Sequence, residues 1–162
     1  MIPRILAALA AAALAVAPSL APAQAPSFVI DEIYSNADGS VQYVVLRESQ
    51  GLNAQIAFAG LTFTATRAGA TKTYTFPRNL PSAATAYARV LVGTVGFQAL
   101  GFVATDYTIP DRFIPVDGGA LTFAGANGFV YELLPSDGVL ALHADLLPRL
   151  DKASEALAHG WH

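Results

Sequence analysis

A chain of 162 residues that is 54% hydrophobic and 13% charged, with no cysteine, is neither a disordered tail nor a disulfide-stapled mini-protein. Its net charge of −3, from 9 basic and 12 acidic residues, drops further if Arg4 leaves with an N-terminal leader. That balance speaks against nucleic acid or an anionic membrane as partner, because phosphate binding needs clustered Lys and Arg. The absence of cysteine also removes a thiolate nucleophile, a thiolate metal ligand and a lipidated N-terminal cysteine.

Arg4 is followed by an apolar run over residues 5–16, and Pro18 and Pro22 then break the stretch before small residues appear. This is the layout of a cleavable secretory signal peptide. A transmembrane helix needs roughly 20 apolar residues, more than this run offers, so no membrane insertion of the mature chain is expected. Ala21 and Ala23 before Gln24 suit the cleavage site, which sets a signal peptide over 1–23. The alanine-rich leader has a bacterial look, and the expected location is secreted or periplasmic.

From residue 28 to about 142, short β-branched and aromatic runs alternate with glycine, proline, asparagine and aspartate, the pattern of an all-β domain. Strands are predicted over 28–34 and 41–48, flanking a turn whose Asp38-Gly39 step supplies a positive-φ residue. Two further strands, 61–66 and 71–76, alternate most clearly. Leu61, Phe63, Tyr74 and Phe76 are expected inward, and Thr62, Thr64, Thr66, Thr71, Thr73 and Thr75 on the opposite face. Strands follow over 88–94, 102–108, 119–123, 129–134 and 139–142, with turns at 125–128 and 135–138. Such a series argues for a sandwich or small barrel. Over 145–160 the period changes: Leu146, Leu150, Ala153 and Leu157 recur at helical spacing, predicting a short C-terminal helix. The expected organisation is a signal peptide over 1–23, a β-sandwich over 24–142, and a helix and tail over 143–162.

In this order the runs resemble the lamin tail domain family. Val29-Ile30-Asp31-Glu32-Ile33 is similar to its opening strand, with Asp31 where the family has asparagine, and Gln42-Tyr43-Val44-Val45-Leu46 to its second strand, with Gln42 and Val45 where the family has glutamates. Phe58-Ala59-Gly60-Leu61-Thr62 resembles the family's Leu-Ser-Gly-Trp-Thr step. Tyr74-Thr75-Phe76-Pro77, Leu80-Pro81 and Arg89-Val90-Leu91-Val92 resemble its Phe-Pro, proline-turn and aliphatic-strand stretch. Gly119-Ala120-Leu121-Thr122-Phe123, Asn127-Gly128 and Val130-Tyr131 are similar to its closing hairpin, preceded here by an insertion over 97–115. The resemblance implies an immunoglobulin-like β-sandwich acting as a non-enzymatic binding or interaction module. It carries over no catalytic residue.

The residues themselves point the same way. Ser-His-Asp catalysis needs a histidine in the domain body, yet His143, His159 and His162 all lie at its end. Hydrolysis by a carboxylate pair is the alternative function, using Asp106, Asp111 or Asp117, or Asp31 with Glu32. Aspartates that cap turn amides are the commoner explanation. The Asp-Gly turns lack the alternating oxygen ligands of an EF-hand, so neither a metal nor a cofactor is expected. The most unusual stretch, 106–115, mixes aromatics, charges and two prolines. Tyr107, Asp111, Arg112 and Phe113 are its candidate ligand-binding residues, for a protein or cell-envelope polymer, set against a proline-stiffened crossover whose aromatics belong to the core. The threonine rows have two readings as well, a hydroxyl array for ordered water or glycan and plain solvent-facing strand surface.

Overall fold

The computed structural model describes residues 25–135 and 141–143. The predicted signal peptide, the helix over 145–160, and His159 and His162 lie outside the described residues, as do residues 139 and 140 of the strand expected over 139–142. Among the described residues nine strands and one short helix follow in chain order: β1 (Phe28–Ser35), β2 (Gln42–Glu48), β3 (Thr62–Arg67), β4 (Ala70–Thr75), β5 (Arg89–Thr94), α1 (Val95–Ala99), β6 (Tyr107–Ile109), β7 (Gly119–Phe123), β8 (Asn127–Tyr131) and β9 (Leu142–His143). They form a five-stranded sheet in the order β6-β5-β2-β1-β9 and a four-stranded sheet in the order β4-β3-β7-β8. The fold is all-β.

Period-two alternation decides what each strand buries. Val44 and Leu46 on β2, Phe63 and Ala65 on β3, Val90 and Val92 on β5, and Leu121 and Phe123 on β7 all enter one core between the sheets. The expected inward set holds: Phe63 and Phe76 are buried, and Leu61 and Tyr74 pack against the core from its margin. β1 departs from strict alternation. Its register against β2 shifts between Ile30 and Glu32, and this bulge turns Ile33 and Ser35 inward after Phe28 and Ile30. The extra residue, Asp31, is buried and pairs with Arg47 at 2.8 Å and Arg89 at 3.7 Å.

The predicted strand 102–108 shrinks to β6, which runs parallel to β5 with Val92 opposite Tyr107. The cause lies at Asp106. Its carboxylate accepts the Leu91 N–H at 2.8 Å and its own N–H donates to the Leu91 carbonyl at 2.9 Å, so one residue closes the ladder where the crossover arrives. The last hairpin also shifts: the turn falls at 124–126, with Ala124 and Gly125 at positive φ, and β8 begins at Asn127.

Phe58 stands in no strand, on the connection from β2 to β3, and is the hub of the core. Its ring lies 5.1 Å from Phe28, 5.3 Å from Phe76, 5.4 Å from Phe123 and 5.8 Å from Tyr107. Edge-to-face and offset contacts of this kind add to the area they bury.

The β2–β3 connection is organised by Glu48, which follows the inward parity of β2 and is fully buried. Its carboxylate accepts from the Ser27 hydroxyl and from the N–H groups of Gln50, Gly51, Leu52 and Tyr87. Gly51 has a φ of +72°, and a Cβ there would meet the Tyr87 hydroxyl at 2.6 Å and its ring at 2.7 Å. Burial by itself would raise the Glu48 carboxyl, but the Ser27 hydroxyl and the converging N–H groups outweigh it and hold the group at about 2, below its ordinary 4.5. A depressed pKa contributes stability above the unfolded value and loses it as pH falls toward the folded one. The urea midpoint is therefore expected to fall between pH 4.5 and about pH 2. Glu48→Gln should have a lower midpoint at neutral pH and a flatter profile through that window; an unchanged slope would show that Glu48 does not carry the acid sensitivity.

Candidate functional site

The connection from β6 to β7 crosses from one sheet to the other, and hydrogen bonds hold it at Arg112, Ile114, Pro115 and Val116. Gln42, on the inward face of β2, is fully buried. Its Nε2 donates to the Ile114 carbonyl at 2.7 Å and to the Ser35 hydroxyl at 3.0 Å, while its Oε1 accepts the Ile114 N–H at 3.0 Å. One carboxamide thus clamps both backbone groups of a residue 72 positions away. The Tyr131 hydroxyl donates to the Pro115 carbonyl at 2.7 Å. Arg112, at φ +58°, donates its N–H to the Gly39 carbonyl at 2.7 Å and its Nε to the Asp38 carbonyl at 3.0 Å. Gly96 permits the neighbouring approach of the β1–β2 turn, because a Cβ there would meet the Ser40 carbonyl at 2.3 Å.

Between this crossover and the β3–β4 hairpin lies a cleft of about 360 Å³. Ala65 and Ile114, both buried, belong to its apolar lining, with Pro115 and Val116 beside them. Charges surround that floor: Arg67 pairs with Asp117, and Arg112 with Asp38 at 3.4 Å. The Ser40 hydroxyl and N–H, and then the Arg112 charge, hold the Asp38 carboxyl below its ordinary range, so it stays an anion at the rim. Lys72 is different. Its Nζ donates to the Arg112 carbonyl, and it meets no carboxylate among the described residues. A second concavity, of about 450 Å³, adjoins the Glu48 loop near Ser27, Gln50 and Gln55, and no charged side chain lines it.

The four residues expected to form one recognition surface are divided by the fold. Tyr107 and Phe113 are each 3% exposed. Tyr107 stacks on Phe58 and donates its hydroxyl to the Arg78 carbonyl at 2.9 Å, and Phe113 stacks on Phe63 at 5.7 Å. Burial pushes the Tyr107 phenol up to about 12, with the Arg78 guanidinium partly opposing it. Asp111 and Arg112 face solvent: Asp111 accepts the Gly96 N–H at 2.8 Å, and only Arg112 reaches the cleft. The proline-stiffened crossover with core aromatics is the arrangement found.

The carboxylates weighed for hydrolysis each have their own structural partner. Asp106 holds Leu91, Asp111 holds Gly96, Asp117 pairs with Arg67, Asp31 pairs with Arg47 and Arg89, and Glu32 accepts from the Tyr43 hydroxyl. His143 takes part in β9 through its backbone, opposite Glu32. Among the described residues no three His, Cys, Asp or Glu side chains converge to hold a metal ion, and no helix is long and apolar enough to cross a membrane.

Sequence reasoning passed over Gln42, Glu48 and Lys72. The signal was there: Gln42 and Glu48 share the parity of Val44 and Leu46 and are buried with them, and Lys72 shares the parity of Tyr74 but stays exposed on the edge strand. The threonines do lie on the outer face, and Thr122 extends their array onto β7 opposite Thr64. No family model, curated protein or solved structure matches this chain.

Proposed function

We propose that the chain is exported by its N-terminal signal peptide and that its mature part is a non-catalytic interaction module. In this reading it is an immunoglobulin-like sandwich of the lamin tail type, contacting a protein or cell-envelope polymer through the cleft between the β3–β4 hairpin and the crossover. The observation that carries the reading is the form of the cleft. It has a charged rim and an apolar floor, with walls held by the Gln42 clamp and by backbone hydrogen bonds, as a preorganised recognition surface requires. Catalysis by a carboxylate pair needs two carboxylates converging on one substrate bond, and these carboxylates are engaged one by one with structural partners.

Thermal unfolding of residues 24–162 against envelope glycans, peptides and divalent ions tests this. A ligand of the folded state present at about 100 times its dissociation constant adds about 2.7 kcal/mol and raises the midpoint. The shift is expected to disappear in Arg112→Ala, whose side chain reaches the cleft. Turnover of a glycan or ester that Asp117→Asn abolishes would overturn the non-catalytic reading in favour of the hydrolase.

A further inference from the structure

β4 is the outermost strand of its sheet, and its backbone says which groups are spare. The two-residue turn Ala68-Gly69, with φ of +48° and +80°, makes Arg67 and Ala70 the closing hydrogen-bonded pair of the β3–β4 hairpin. In an antiparallel ladder hydrogen-bonded and non-bonded pairs then alternate, so Ala70, Lys72 and Tyr74 bond to β3. Two observations fix this parity: Phe76 donates to the Leu61 carbonyl at 2.9 Å, and Thr62 turns its carbonyl away from β4 to accept Ala124 at 2.9 Å. The N–H and C=O groups of Thr71, Thr73 and Thr75 therefore point outward along an edge on which no strand of the described residues pairs.

The side chains on that edge are equally specific. Thr71, Thr73 and Thr75 are exposed on the outer face, where β-branched polar residues suit strand pairing. On the inner side stands Lys72, a charge at a position the alternation reserves for apolar residues and a device that discourages indiscriminate strand pairing. Among the described residues its ammonium has one partner, the Arg112 carbonyl, which leaves two donors over. A residue directly opposite Lys72 in an added strand would form a non-hydrogen-bonded pair, the closer of the two cross-strand spacings, at the mouth of the cleft.

We propose that β4 captures an extended peptide segment of a partner protein as an additional antiparallel strand, with an acidic side chain opposite Lys72. This rests on the interaction-module reading above and names its partner's chemistry. Main-chain bonds to Thr71, Thr73 and Thr75 supply affinity, and Lys72 selects for a carboxylate and against a cation or an uncharged apolar side chain.

The test uses residues 24–162 with two synthetic peptides, acetyl-(Thr-Glu)₄-amide and acetyl-(Thr-Lys)₄-amide, and reads amide hydrogen exchange residue by residue. The glutamate peptide, at about ten times its dissociation constant, should slow exchange roughly tenfold at Thr71, Thr73 and Thr75, with no such effect from the lysine peptide. Lys72→Glu should reverse the preference. Thr73→Pro should abolish binding while leaving the unfolding midpoint within a few degrees, since proline is tolerated on an edge strand whose N–H faces solvent. The inference is overturned if neither peptide protects these amides at millimolar concentration. It is overturned equally if sedimentation shows a dimer in which the free protein already protects them, which would make a second copy the occupant. A panel ligand that raises the midpoint while the β4 amides stay open sinks strand capture and leaves the interaction module standing; a chain that responds to neither peptide nor panel sinks both.

Discussion

Replacing Gln42 by leucine is expected to cost about 3–5 kcal/mol, a large share of the stability of a domain this size, because the change strands more than it removes. The carboxamide's two bonds to Ile114 are each worth about 1 kcal/mol net, but without them the Ile114 N–H and C=O stay buried with no partner at a further cost of about 1–3 kcal/mol each. Urea unfolding should show a lower midpoint with an unchanged slope, and the crossover amides should exchange faster than the sheet. Gln42→Glu separates geometry from volume. A glutamate can still accept the Ile114 N–H, but when ionised it has no proton for the Ile114 carbonyl. That variant should therefore gain stability relative to wild type as pH falls and its carboxyl protonates. Wild-type behaviour of Gln42→Leu would mean that the crossover is held by its packing, through Phe113 and Ile114, and not by the clamp.

Phe58→Ala should cost a comparable amount, about 3–5 kcal/mol, through a different mechanism. Phe58 is completely buried and touches four rings drawn from β1, β6, β7 and the residue after β4, so its loss opens a cavity bounded by both sheets. Phe58→Leu refills most of that volume and should recover much of the loss. Because the hub sits on a connection and not on a strand, alanine should also loosen the β2–β3 segment. Near-ultraviolet circular dichroism would then lose aromatic signal while the strand signal persists. A loss below about 1 kcal/mol would show that the neighbouring rings collapse into the space, which the spread of such substitutions allows only at adaptable sites.

The strands were legible in the sequence to the extent that alternation reaches. On β3 and β4 the faces came out residue by residue, from Thr62 outward and Phe63 inward through to Tyr74. The strand expected over 28–34 carried no bulge, and the structure places one between Ile30 and Glu32, which lets Ile30 and Ile33, three apart, both face the core. The run before β6 misled for a definable reason. Phe102 and Val103 look like strand residues, yet Phe102 is 85% exposed, because Asp106 closes the ladder where the parallel crossover arrives. The aromatic residues of 106–115, Tyr107 and Phe113, invited a binding-surface reading, and both are consumed by the core.

Composition and periodicity by themselves determined an all-β chain, its inward apolar set and its threonine face, because these follow from local side-chain alternation and the transfer of apolar surface out of water. Only the tertiary structure decided which buried polar residue satisfies which backbone group. Gln42 meets Ile114, and Glu48 meets Tyr87, across 72 and 39 residues of sequence. The cleft and the open β4 edge beside it likewise depend on sheet order and on the path of one crossover. Alternation along a strand says which side faces the core, but it holds no information about which strand will lie next to it.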